Sequence, residues 1–268
     1  MADPEILRYV AARTGLGLKY LSKDEKISLM LEQLRGAFPE AIFKGGTALN
    51  RAHLSKLGVS RFSEDIDLDF IRSAGLNDNV SRIKKGMSLV KDFDIREPRM
   101  LHRTVRFDCG YMNEFGDRDQ IRVEFYVNDV SSYRVEDVLI KSPFLEAHST
   151  LFRTYSLEDL MARKLIALHN RTEGKDIYDL FYALDLDFDT DSLAKALRLA
   201  RGFYHIDEEG FWTRIDGKLA EAGANWRYIG QSTNHFIPAS LRPEWRMFID
   251  TLALKVRRKL TTVVTEDF

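Results

Sequence analysis

Asp65, Asp67 and Asp69 occupy alternate positions of Asp65-Ile66-Asp67-Leu68-Asp69-Phe70. In a strand of period two this spacing puts three carboxylates on one face and Ile66, Leu68 and Phe70 on the other. Asp is a poor strand former and like charges at this spacing repel, so the face is either fully solvated or compensated by a cation. Mg²⁺ (or Mn²⁺) suits the second case, because it takes carboxylate oxygens and keeps positions for waters and substrate phosphates. Glu124 favours it. In Arg122-Val123-Glu124-Phe125-Tyr126 it lies on the side opposite the apolar residues. If that strand lies beside the Asp65–Asp67 strand, Asp65, Asp67 and Glu124 converge as the donors of a two-metal phosphoryl-transfer site.

Two other groups have the chemistry of a phosphate grip. Gly45-Gly46-Thr47 falls between the apolar run Ala41-Ile42-Phe43 and a helical stretch. Glycines let the backbone approach an anion, a helix N-terminus offers it unpaired N–H groups, and the Thr47 hydroxyl adds a donor. The spacing is neither a Walker A loop nor a dinucleotide fingerprint, and alone it also reads as a tight turn. Lys164 lies within the apolar stripe Leu157, Leu160, Met161, Leu165 and Leu168 of a helix that Ser156 would cap. Its ammonium either snorkels into water or points at a triphosphate. Asp176, in the first turn of the next helix, reads by itself as a cap or dipole partner.

The elements that must position these residues follow from periodicity. A helix is expected from about Ser22 to Phe38, opened by a capping box of Ser22 and Glu25 and ended by Pro39. A short strand over 41–43, the glycine turn and a helix from Ala48 to about Leu57 precede the acidic strand. A helix over 76–92 follows, then two alternating strands, Thr104–Tyr111 and Ile121–Val127, joined as a hairpin through Asn113–Asp117. From Ser156 to about Leu260 helices dominate. The expectation is an α+β fold divided near residue 150: a domain over 1–150 and a helical domain over 151–268 that completes the cleft.

Composition narrows the function classes. The 268 residues carry 40 Lys and Arg against 41 Asp and Glu, a formal charge of −1, so there is no global basic field for nucleic acid. Local basic stretches remain: Arg82-Ile83-Lys84-Lys85, the series Arg96, Arg99, Arg103 and Arg106, and Lys255 with Arg257-Arg258-Lys259, with Trp226-Arg227-Tyr228 as an aromatic site for base stacking. The single Cys109 excludes an internal disulfide and a thiolate zinc cluster, so a reducing cytoplasm is the expected setting. No apolar run approaches the ~18 residues of a membrane span, and Met1-Ala2-Asp3-Pro4-Glu5 does not read as a secretory signal. The six histidines show no ligand spacing.

Taken together, Phe43-Lys44-Gly45-Gly46-Thr47-Ala48-Leu49, Arg61-Phe62-Ser63-Glu64-Asp65-Ile66-Asp67-Leu68, Glu158-Asp159-Leu160-Met161-Ala162-Arg163-Lys164 and Lys175-Asp176-Ile177-Tyr178-Asp179-Leu180 resemble the AbiEii/AbiGii-type toxin nucleotidyltransferases, members of the DNA polymerase β-like superfamily. The resemblance spans roughly residues 20–185. It implies a mixed or antiparallel nucleotidyltransferase sheet with helices on one face. Lys44, Gly45, Gly46 and Thr47, with Arg61, Ser63 and Lys164, would bind the nucleotide, and Asp65 and Asp67 would hold Mg²⁺, with Glu124 as third carboxylate. Asp176 would be the family's catalytic acid, acting as a base. The implied reaction moves a nucleotidyl group from an NTP to an acceptor hydroxyl, on RNA such as the tRNA 3′ end. A side-chain hydroxyl of a protein is the alternative acceptor, and a non-catalytic nucleotide-binding regulator the alternative function. An antitoxin is the implied partner.

Overall fold

The structure, a computed structural model, describes residues 3–71, 75–128, 132–146 and 148–260. They divide into two compact units: one from the described parts of Met1–Val130, Glu136–Thr154 and Pro238–Ser240, the other from those of Ser131–Val135, Tyr155–Ile237 and Leu241–Phe268. Residues 261–268 of the expected helical domain lie outside the described residues.

The first unit begins with two helices, α1 (Pro4–Thr14) and α2 (Leu18–Ala37), followed by β1 (Ile42–Lys44), α3 (Gly45–Ala52), β2 (Asp65–Ile71) and α4 (Leu76–Met87). Then come β3 (Asp94–Ile95), β4 (Arg99–Leu101), β5 (Thr104–Met112), β6 (Arg118–Asn128), β7 (Val135–Ile140) and β8 (Thr150–Tyr155). They form one mixed sheet in the order β3-β5-β6-β2-β1-β8-β7, with β4 also on β5. The hairpin expected from alternation is β5–β6, antiparallel from Thr104–Tyr126 to Met112–Arg118. Its turn is an Asx turn, in which Asn113 Oδ1 accepts from the Phe115 and Asp117 N–H groups at 2.9 and 2.8 Å. β2 pairs parallel with β6 and antiparallel with β1, so the acidic strand is interior to the sheet.

One face of this sheet is the core. Ile66, Leu68, Phe70, Val105, Phe107, Val123 and Phe125 are all buried. The Phe125 ring lies 4.8 Å from Phe38 of the α2 C-terminus and 6.2 Å from Phe107. Cys109 is on this side too, and burial pushes its thiol up to about 12, so it behaves as a small apolar residue.

The start of α2 differs from expectation. Ser22 and Glu25 do not cap a helix, because α2 begins a turn earlier at Leu18 with Gly17 as N-cap. Both are buried inside it, among Lys23, Asp24 and Lys26. Ser22 donates to Glu114, Lys23 pairs with Asp119 at 3.1 Å, and Lys26 pairs with Glu114 at 2.8 Å. A local capping pattern was thus overridden by partners about ninety residues away.

The second unit contains α5 (Leu157–Asn170), α6 (Gly174–Ala183), α7 (Thr190–Tyr204), α8 (Phe211–Ala224), α9 (Trp226–Thr233) and α10 (Trp245–Lys259). Ser156 caps α5 as expected, accepting from the Asp159 N–H. Leu160, Leu165, Leu168, Ile177 and Leu180 are fully or almost fully buried between these helices. Among the described residues, no helix is long and apolar enough to cross a membrane.

Candidate active site

Sheet register assembles the acidic face. Asp67 of β2 is paired with Glu124 of β6 on one side and with Lys44 of β1 on the other. Glu124 in turn faces Arg106 of β5, and Arg106 faces Arg99 of β4. Directly opposite residues share a face, so Lys44, Asp67, Glu124, Arg106 and Arg99 form one row across five strands. The next row is Asp65, Arg122 and Asp108. Asp69 is paired with Ile42 and Tyr126.

The cations on this face do not all serve the central acid. Lys44 Nζ bonds Asp69 Oδ1 at 2.5 Å and lies 4.1 Å over the Tyr126 ring. Arg122 is 3.6 Å from Asp65, and Arg106 is 3.9 Å from Glu124. Asp67 is half-buried, with its carboxyl crowded by surrounding protein. Burial pushes its carboxyl up to about 6; Lys44 opposes this, while Asp65, Glu124 and Asp69 reinforce it. Crowded hard oxygens of this kind fit Mg²⁺ chemically. Among the described residues no three acidic, His or Cys groups form a ready-made metal cage.

The glycine turn abuts this row. Gly45 has φ +78°, and a β-carbon there would collide with Asp67 Oδ2, so both the backbone conformation and the close approach call for glycine. α3 starts at Gly45 with no side chain capping its N-terminus. Asn50 fixes the turn from below, donating to the Gly46 carbonyl at 2.9 Å while its Oδ1 accepts from the Arg61 N–H at 2.9 Å. Thr47 is buried, and its hydroxyl donates to the Asp65 carbonyl and lies 2.7 Å from Ser63 Oγ. Arg61 is also buried, with Nη1 donating to the Phe62 carbonyl. Thr47, Ser63 and Arg61 therefore all bond to the chain around the acidic strand.

Lys164 and Asp176 come together in the second unit. Lys164 Nζ is 2.7 Å from both Asp176 Oδ1 and Asp179 Oδ2, and all three residues are buried. Asp176 Oδ2 accepts from Arg171 Nε at 2.8 Å. Burial alone would raise the Asp176 carboxyl, but Lys164 and Arg171 overcome it and hold the group down at about 2. The ammonium is thus not in water, and Asp176 is not a cap.

A family model described as nucleotidyl transferase AbiEii toxin of type IV toxin–antitoxin systems matches residues 29–264. The chain belongs to that family. It is accordingly an AbiEii-type nucleotidyltransferase toxin, and membership implies a nucleotide substrate and an antitoxin partner. Its fold is similar to that of JHP933 from Helicobacter pylori, with a TM-score of 0.61 at 17% identity, over 94% of this chain and 96% of that one. It is also similar to MenT4, a nucleotidyltransferase toxin from Mycobacterium tuberculosis H37Rv, with a TM-score of 0.60 at 15% identity, over 99% of each chain. A comparison with curated proteins gave no match.

Sequence reasoning passed over Asp179 and Arg171 in this AbiEii-type chain. The signal was available for Asp179: Asp176 and Asp179 are spaced i, i+3 on α6 and so share a helix face. The other basic stretches are largely ion-paired, Arg82 with Glu40, Lys84 with Glu97, Lys255 with Asp185 and Arg257 with Asp216. Tyr228 is exposed, whereas Arg227 lies 4.9 Å over Trp226.

Proposed function

We propose that this toxin transfers a nucleotidyl group from an NTP to a hydroxyl of RNA, the tRNA 3′ end, in a Mg²⁺-dependent reaction. The observation that carries the proposal is the register pairing of Asp67 with Glu124 on one face, next to the Gly45 turn. Asp65 and Asp67 would hold the metal with Glu124 beside them. A bound Mg²⁺ would neutralise charge on the triphosphate and lower the pKa of the attacking hydroxyl. Gly45, Gly46 and the α3 N-terminus would receive phosphate oxygens through backbone N–H groups. Lys44 flanks them, and Thr47, Ser63 and Arg61 keep turn and strand in position. The acceptor hydroxyl gives its proton to solvent water, its oxygen forms a bond to the α-phosphorus, the bond from that phosphorus to the β-bridging oxygen breaks, and pyrophosphate leaves. Lys164 is the nucleotide-binding lysine of this reading. Asp176, the family's catalytic acid in this reading, has both oxygens bonded by Lys164 and Arg171 and so orients Lys164.

The test is incubation with Mg²⁺, each labelled NTP in turn, and total tRNA. Label in tRNA, lost on adding EDTA, is expected. Label in protein alone would move the acceptor to a side-chain hydroxyl, and label in neither would leave a nucleotide-binding regulator.

A further inference from the structure

Arg106 and Arg122, on the polar face, are incompletely bonded. Each has its Nε enclosed by protein and without a hydrogen-bond partner. Their ion pairs are long: 3.9 Å from Arg106 to Glu124, 3.4 Å from Arg106 Nη2 to Asp108, and 3.6 Å from Arg122 to Asp65. A buried donor without an acceptor is costly, and a guanidinium fork matches the oxygens of a phosphate. Glu124 and Asp65 are also assigned to the metal, so a bound cation would weaken their pairs, leaving Arg122 without its acid and Arg106 with only the 3.4 Å contact to Asp108.

Strand order decides which anion. The sequence of strands β1-β2-β6-β5 puts the glycine turn on one flank of the acidic strand and the two arginines on the other. With strands roughly 4.8 Å apart, Arg106 stands about 10 Å from the Asp67 column, on the side away from Gly45. The triphosphate occupies the glycine flank. The arginine flank, extended outward by the exposed Arg99, is left for the second substrate.

We infer that Arg106 and Arg122 hold a backbone phosphate of the acceptor RNA strand next to the acidic row. This rests on the reading of the chain as an RNA-directed nucleotidyltransferase.

The experiment measures binding, apart from turnover. Fluorescent tRNA is titrated with the full-length protein in Mg²⁺ without NTP, at several salt concentrations, and a fluorescent NTP analogue is titrated separately. Arg106→Gln and Arg122→Gln are each expected to weaken tRNA binding tenfold or more. Each should also lower the slope of log affinity against log salt by about one, leaving the nucleotide affinity within twofold of wild type. Arg106→Lys retains charge without the fork; it should keep the salt slope yet lose several-fold in affinity, and it decides the matter if a Gln variant fails to fold. Unchanged tRNA binding in folded variants overturns the inference, and a selective loss of nucleotide affinity reassigns the arginines to the triphosphate. If wild type labels tRNA but the variants bind tRNA normally, only this inference falls. If wild type binds no tRNA and labels protein, the RNA reading falls with it.

Discussion

Half-buried Asp67 and fully buried Asp176 both have a lysine close by, yet their proton affinities move in opposite directions. At Asp67 the lysine is committed elsewhere, since Lys44 Nζ bonds Asp69, and three acids surround the group. At Asp176 both oxygens are bonded by cations of the same unit, Lys164 and Arg171. The helical unit neutralises its own buried charge. The sheet unit leaves negative charge unbalanced, which is unfavourable for an isolated fold and would suit the divalent cation of the proposed reaction. An imbalance concentrated on one strand face is the physical mark of a site that something from outside completes.

The strongest way to break the contrast is Asp67→Asn. Transfer is expected to fall at least a thousandfold, while metal-free stability holds or rises by about 1 kcal/mol because a crowded charge has gone. A Mg²⁺-induced rise in melting temperature should be present in wild type and lost in the variant. Wild-type transfer rates in Asp67→Asn would remove the metal assignment. The counterpart is Lys164→Ala, which strips the cation from two buried carboxylates at once. Removing one partner of a buried ion pair costs roughly 3–5 kcal/mol, so denaturant unfolding should shift strongly. Adding Asp179→Asn should restore part of the loss. If stability in Lys164→Ala is unchanged, the network is not the self-neutralising one described.

How much of this was legible beforehand differs between the same two regions. Alternation in Asp65–Phe70 and Ile121–Val127 reports a backbone property of period two, so it gave the strands, the hairpin and the face of Glu124 directly. The pairing of Asp67 with Glu124 could be stated only as a condition, because register between strands about sixty residues apart is a tertiary fact. Lys164 stood out because a charge interrupts an apolar stripe, but its two carboxylate partners depend on how α5 packs on α6. The capping box of Ser22 and Glu25 is absent for the same reason, since the run Ser22–Lys26 is buried. Its partners Glu114, Asp119 and Arg51 are remote in sequence, and a capping pattern carries no information about them. The strands β3, β4, β7 and β8 are short or lack clean alternation and were not foreseen.

Acid titration sharpens the contrast at a smaller scale. The Asp176 carboxyl is lowered from 3.8 to about 2. The stability it contributes is therefore complete above about pH 4 and lost as pH falls from there through 2. The lowering corresponds to roughly 2 kcal/mol. Urea midpoints measured from pH 5 to pH 2.5 should fall steeply below pH 4 in wild type and less steeply in Asp176→Asn, which has no proton to take up at that position. Equal slopes would show that Lys164 and Arg171 do not hold the carboxylate as described.

The smallest expected effect is that of Thr47→Val. The Thr47 hydroxyl has one proton, given to the Asp65 carbonyl, and Ser63 lies close enough to donate to it in turn. A donor already satisfied inside the fold has nothing left for a phosphate, so whatever residue 47 contributes to nucleotide binding comes through its backbone N–H, which valine keeps. Val is close in shape to Thr but cannot replace the hydroxyl bond, and it leaves a buried acceptor unpaired; the cost should be about 1 kcal/mol in unfolding free energy. The KM for NTP should stay within twofold of wild type, with kcat falling only as far as a loosened start of β2 shifts Asp65. A rise in KM of tenfold with stability intact would place the hydroxyl on the triphosphate. It would then mean that the first turn of α3 rearranges when nucleotide binds.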